Sequence, residues 1–248
     1  MKRDSFLHYS FALVWYTSCM MKQKIFVAIA AMAISSFAAG CSTSQSVETT
    51  PKIVSQGPVG PINPDTRILL TPGDMIGVNT FPDGDTSSGG QGQNIDNLLE
   101  CHGFINATFH IHTHLSIFDP TGTQIMVPWG IGIVPPWTFD RDNDEITAGT
   151  CFYNLHTHDR SGVIHDEAKT DLNLTLGNFF DVWGMPLSTT NVAGYTGTVW
   201  VKIVVPGNNG PWSDTVDPRT ILLGDDEQIT LAVGSKVKNP PIYDMRRF

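Results

Sequence analysis

Beyond residue 65, apolar and polar positions alternate with a period of two far more often than with the 3.6-residue period of a helix. The clearest run is Thr108–Phe118. Phe109, Ile111, Leu115 and Ile117 point one way along it, and His110, His112, His114 and Ser116 point the other. The turn signal DPTG (119–122) leads into Gln124–Val127, which predicts a hairpin. Arg67–Leu70 and Met75–Asn79 flank a second turn, TPGD, and further strands are expected at Ile146–His158, Val163–Glu167, Gly197–Val205, Thr220–Leu223 and Gln228–Val233. Helical spacing occurs at Thr175–Gly184, where Phe179, Phe180 and Trp183 read as core and Gly184 as the stop. The gapless match of ILLTPGDMIGV (68–78) to ILLGDDEQITL (221–231) suggests two similar hairpins and is too short to argue for tandem domains. The expected fold is all-β: an antiparallel β-sandwich or partly open barrel of roughly seven to ten strands with one short helix.

Composition agrees with that pattern. Of 248 residues only 16% are charged, against about 25% in ordinary soluble domains, while Gly (23) and Pro (16) are plentiful. Coiled coils and long helical bundles are excluded. The net charge of −9 comes without any basic cluster, which argues against a nucleic-acid partner held by its phosphates.

The first 40 residues change the picture differently. From Met20 the chain reads MMKQKIFVAIAAMAISSFAAGC: Lys22 and Lys24, then an apolar stretch from Ile25 to Phe37 that is short for a membrane span, then small residues before Cys41. The segment resembles a bacterial lipoprotein signal in which Cys41 is the lipidated first residue of the mature chain, with Ala38 standing where Leu is usual. An ordinary secretory signal cleaved nearby is the alternative. Residues 1–19 read as an upstream extension, since Met20 or Met21 would start a signal of normal length. Residues 1–40 are thus a leader. Residues 41–65 (CSTSQSVETTPKIVSQGPVGPINPD) are a flexible, polar, Pro/Gly-rich tether, and 66–248 is one β domain. The expected location is the bacterial cell envelope, with the membrane as partner through Cys41. No protein partner can be named. Four of the 15 basic residues and one of the 24 acidic ones fall in the leader, leaving 11 against 23.

The candidate chemistry is histidine. Seven of eight His fall between positions 102 and 165: His102, the HIHTH run (His110, His112, His114), the HTHD run (His156, His158) and His165 in VIHDE. Side chains two apart on a strand share a face about 6.5–7 Å apart, so two imidazoles can reach one ion. If the segments pair, four to five imidazoles and a carboxylate converge. His112, His114, His156 and His158 are the first-choice ligands, His165 next, with His110 a ligand or a supporting residue and His102 a loop residue. Asp159, Asp166 and Glu167 could orient imidazole N–H groups. Glu167 could also ligate, or serve as a catalytic base. The bland alternative is a solvated polar sheet face, and metal binding is the stronger reading because imidazole is the commonest transition-metal ligand. Cys101 and Cys151 lie an odd number of positions from the nearest His run. They read as a disulfide in an oxidising compartment rather than as thiolate ligands.

The combined pattern HxHxHL, CxxxLHTHDxSGxIHxE and LGxFFxxWG resembles a family of exported, His-rich bacterial proteins over roughly residues 101–187. It carries no reaction with it. It does match His112, His114, His156, His158, His165 and Glu167 to the family's motif positions. Cupredoxins, copper–zinc superoxide dismutase and cupins fit less well, because this chain lacks respectively their C-terminal Cys-His-Met stretch, their zinc loop and their Glu after His-x-His. There is no phosphate-cradling Gly loop, no GxSxG elbow and no helical HExxH. GGQGQN (89–94) lies in a polar loop, and Ser161 beside His158 and Asp159 is too local for a triad.

An all-imidazole site with an optional carboxylate suits one ion of copper or zinc, with iron and nickel admissible. Copper leads on intrinsic affinity, and the absence of a Met-rich segment argues against a thioether Cu(I) site. Three classes follow: a metal-sequestering or metal-transferring envelope lipoprotein, a periplasmic metalloenzyme of oxidative or hydrolytic type, and a structural or partner-binding module with a stabilising metal.

Overall fold

A computed structural model describes residues 67–84, 99, 101–103 and 106–248. The leader (1–40), the tether (41–65), Cys41 and the GGQGQN stretch lie outside them. The described residues form one compact unit, all-β and sandwich-like with no closed barrel.

Its centre is a seven-stranded sheet. The strands are β1 (Phe109–Phe118), β2 (Gln124–Ile125), β3 (Leu155–His156), β4 (Val163–Ala168), β5 (Val199–Val205), β6 (Asn208–Ser213) and β7 (Glu227–Val233). They lie in the order β6-β5-β7-β1-β4-β3, and β2 forms the expected hairpin with β1. One pairing departs from antiparallel order: β7 runs parallel to β1. Turn signals report only neighbours in sequence, whereas these two strands meet through a crossover of more than a hundred residues.

Alternation decides which face is which. Leu115 and Ile117 of β1, Ile164 of β4 and Ile229, Leu231 and Val233 of β7 enter one core cluster with the helix α1 (Leu176–Trp183). The helix buries Leu176, Phe179, Phe180, Val182 and Trp183 there. Its limits follow from its ends. Thr175 accepts from the Asn178 backbone N–H while the Asn178 side chain accepts from the Thr175 N–H, and Gly184 closes the helix at φ 75°. A three-stranded ribbon over 187–196 completes that layer.

The opposite, polar face is also covered. Ile68–Leu69 pairs in parallel with Tyr243–Asp244, and Leu70, Val163, Tyr243 and Met245 form a second, smaller core. Gln228 holds Tyr243 by two bonds, donating from Nε2 to its carbonyl and accepting its N–H. Every residue of β7 is therefore buried, polar and apolar alike. The expected hairpin of 67–70 with 75–79 does not form. Ile68–Leu69 pairs with the C-terminal segment and Val78 bridges Ile125. Thr220–Leu223 is the end of a 3₁₀ turn with one bridge, Leu222 to Thr175, rather than a strand. The continuous strand expected over Ile146–His158 breaks into Glu145–Ala148, Cys151–Tyr153 and β3, because Gly149 and Asn154 interrupt it.

Cys101 and Cys151 are joined as a disulfide with Cα atoms 5.4 Å apart, on neighbouring strands that pair Cys101 with Tyr153. The bond closes a loop spanning 50 positions that contains β1. In the loop-entropy picture such a closure is worth ~4 kcal/mol. Replacing both cysteines by serine should lower the unfolding free energy by an amount of that order, read as a lower urea midpoint, and an unchanged midpoint would show that the bond adds nothing.

Candidate metal centre

The site is set by cross-strand register. β4 pairs with β1 so that His165 stands opposite His112 and Glu167 opposite His110, and with β3 so that His165 also stands opposite His156. Residues directly opposite in a ladder share a face. His112, His165 and His156 thus form one row across three strands, with His110 and Glu167 in the next row. His158 follows His156 by two positions.

Local structure fixes the second His pair. Tyr153 N–H donates to the Gly132 carbonyl and Thr157 N–H to Ile131, holding β3 between its neighbours. Gly132 has φ 74°, and a Cβ there would sit 2.2 Å from the Leu155 carbonyl oxygen. His158 is tied both ways to Ile146, accepting its N–H at the carbonyl and donating from Nδ1 to its carbonyl oxygen at 2.5 Å. His156 Nδ1 donates to the Tyr153 carbonyl at 2.9 Å.

Those two bonds determine the tautomers. A carbonyl oxygen has no proton, so Nδ1 of each ring must carry one, and in the neutral ring Nε2 is then a bare lone pair. The two Nε2 atoms face each other at 3.1 Å. No proton is available between them unless one ring is charged, and burial of the His156 ring opposes that there. Desolvation, with the neighbouring His158 adding to it, holds His156 well below the usual imidazole range. The pair could hold a cation between its two lone pairs. Donors around a tetrahedral ion with bonds of about 2.0–2.1 Å stand roughly 3.3 Å apart, close to the spacing here.

Around the pair, Glu167 Oε1 lies 3.9 Å from His156 Nε2 and 3.3 Å from His110 Nε2, and His110 Nε2 lies 3.2 Å from His165 Nδ1. The ligand atoms of His156, His158, His165 and Glu167 all lie within 4.8 Å of one another, as do those of His110, His112 and His165. These groups could hold a metal ion. Burial favours the neutral form of the His112 and His165 rings. Desolvation first, then His110, brings His112 to about 4, and desolvation, then His158 and His156, puts His165 well below its ordinary value. The His112 Nε2 atom is buried and has no hydrogen-bond partner. The Phe248 ring lies 6.2 and 6.3 Å from the His112 and His165 rings, a neighbour that no motif announced.

Several expected residues are placed elsewhere. His114 shares the strand face but not the cluster. It is 1% exposed, stacks on Tyr243 at 4.2 Å and bonds the Ser161 carbonyl through Nε2 at 2.9 Å. The covering C-terminal segment takes it out of reach. A Cβ on Gly162, at φ 88°, would lie 3.2 Å from that same Nε2, so the close approach depends on glycine. Asp159 does not orient an imidazole. It accepts from Gly73 N–H, Ser161 N–H and Ser161 Oγ–H, and so anchors its own turn. Asp166 is one residue out of phase with His165 and points to the apolar face beside Leu155. There desolvation, with Asp171 adding to it, pushes its carboxyl up to about 7. The orienting acceptors are backbone carbonyls of Tyr153 and Ile146, which no side-chain motif encodes. His102 sits in a two-residue strand beside Phe152.

No protein-family model matches the chain, and no curated protein or solved structure matches it either.

His114 supplies a test of this placement. Desolvation lowers its pKa to about 3 against 6.5 in the unfolded chain. Stability owed to the neutral ring is therefore complete above pH 6.5 and drains away as pH falls toward 3, because only the unfolded chain takes up the proton. His114→Phe should cost ~1–3 kcal/mol at pH 7.5 by orphaning the Ser161 carbonyl. The deficit relative to wild type should shrink by ~2–3 kcal/mol at pH 4.5, where the wild type bears the protonation penalty. Metal content should not change. A pH-independent deficit, or metal loss matching that of His158→Ala, would contradict the placement.

Proposed function

We propose that this protein is a cell-envelope lipoprotein, anchored through a lipidated Cys41, that binds a transition-metal ion for sequestration or transfer, with copper favoured over zinc. The observation that carries the reading is the pair of Nε2 lone pairs of His156 and His158, facing each other at 3.1 Å with both Nδ1 protons committed to backbone carbonyls. His165 and Glu167 complete the donor set. Imidazole donors and one carboxylate suit Cu(II) and Zn(II), and Cu(II) stands higher in intrinsic affinity. The motif resemblance to exported His-rich bacterial proteins, the leader pattern and the preference of Cys101 and Cys151 for a disulfide agree on an oxidising compartment.

Sequestration or transfer is favoured over catalysis by where the carboxylates go. Glu167 is a ligand candidate rather than a free base, Asp159 is spent on its turn, and Asp166 faces away.

The direct test is Cu(II) and Zn(II) uptake by the untagged full chain, read by competition with a chelator and by X-ray absorption. A shell of nitrogen and oxygen with imidazole scattering is expected, and the double variant His156→Ala/His158→Ala should lose tight uptake at this position. Wild-type protein that takes up neither metal, or an unchanged double variant, would refute the reading. For the anchor, cells fed a labelled fatty acid should label the wild type and not Cys41→Ser. Equal labelling of both would remove the lipoprotein assignment.

A further inference from the structure

We infer that the histidine cluster holds two metal ions side by side, the second against His110 and His112. The inference rests on the metal-binding reading above and concerns how many ions the site takes. Five imidazoles and one carboxylate converge here, whereas a zinc or copper ion in such a site is filled by about four or five donors.

The strand layout separates the donors into two sets. His110 and His112 rise from β1, His156 from the end of β3 and His158 from two residues beyond it, and β4 runs between. Adjacent strands are about 4.8 Å apart, so the two His-x-His backbones are roughly 10 Å apart. An ion with bonds of about 2.1 Å reaches only about 4.2 Å from donor to donor. One ion would serve both pairs only if both leaned over the middle strand. The His156 and His158 rings are held on their own side by the carbonyls of Tyr153 and Ile146.

That leaves the β1 pair with unfilled chemistry of its own. His112 Nε2 is buried without a partner, and its ring neighbours include His110 and His165, each at 4.6 Å between centroids. These are the residues of the second ligand group. The residues between the two positions are ones that can be shared. His165 belongs to both groups, and its one lone pair can complete either position. Glu167 has two oxygens, and its Oε1 lies between His110 Nε2 at 3.3 Å and His156 Nε2 at 3.9 Å. A carboxylate is an ordinary bridging side chain of paired-metal sites, whose ions stand about 3.5–4 Å apart.

The experiment is copper loading of the metal-stripped, untagged full chain, read by native mass spectrometry and electron paramagnetic resonance. Wild type should take two Cu(II) per chain and give the weakened main signal and half-field transition of a coupled pair. His112→Ala should take one and give an isolated Cu(II) spectrum, and the more exposed His110→Gln should do the same if the first variant folds poorly. One equivalent in wild type with an isolated spectrum overturns the second position and leaves the proposed function standing. Two equivalents without coupling put the second ion elsewhere and overturn it too, as does a His110→Gln/His112→Ala protein that still binds two. No copper in wild type overturns the proposed function itself.

Discussion

The register of β4 against its two neighbours is the constraint on which the site depends. With side chains alternating faces, a slip of one residue would turn His165 and Glu167 into the apolar core and bring Ile164 and Asp166 up in their place. The apolar face prevents the slip. Ile164 sits in the core with Leu115, Ile117 and Leu155, and a slip would take it out of that cluster and set Glu167 or His165 among apolar side chains. Burial on one side of the sheet therefore positions the chemistry on the other.

Much of the polar face is itself buried, at His114, His156 and His165, while His110 at its edge is exposed. Tyr243, Met245 and Leu70 close over it, with Gln228 binding the Tyr243 backbone and His114 packed beneath the ring. His114 under this cover, and His112 and His165 beside Phe248, lose much of their hydration. Their charged forms are disfavoured, and the rings stay neutral well below the ordinary histidine range. A neutral buried imidazole is a ready donor to a metal, and the same burial makes each unpartnered nitrogen costly. Where the structure gives a partner, as for His114 and Ser161, the ring is structural. Where it gives none, as for His112 Nε2, the atom is one that could take a ligand.

Much of this was legible in the residues. The alternation in Thr108–Phe118 separated core from polar face correctly, the helix ends at Thr175 and Gly184 were marked by their own capping chemistry, and the β1–β2 turn announced its hairpin. Local signals failed where the partner is remote. The parallel pairing of β7 with β1, the ladder of Ile68–Leu69 with Tyr243–Asp244, and the cover over His114 all join segments far apart in sequence.

The sequence by itself determined that histidines would stand on one face of a sheet, because a period of two is a property of any strand whatever it pairs with. Only the tertiary structure decided which of them meet. His110 and His114 are equivalent by alternation, yet one joins Glu167 and His165 while the other is sealed under Tyr243. The difference lies in which strand lies opposite and which segment folds over, and in carbonyls of Tyr153 and Ile146 that fix two tautomers. A backbone carbonyl is the same group in every residue, so nothing in the identities of the side chains could have marked it.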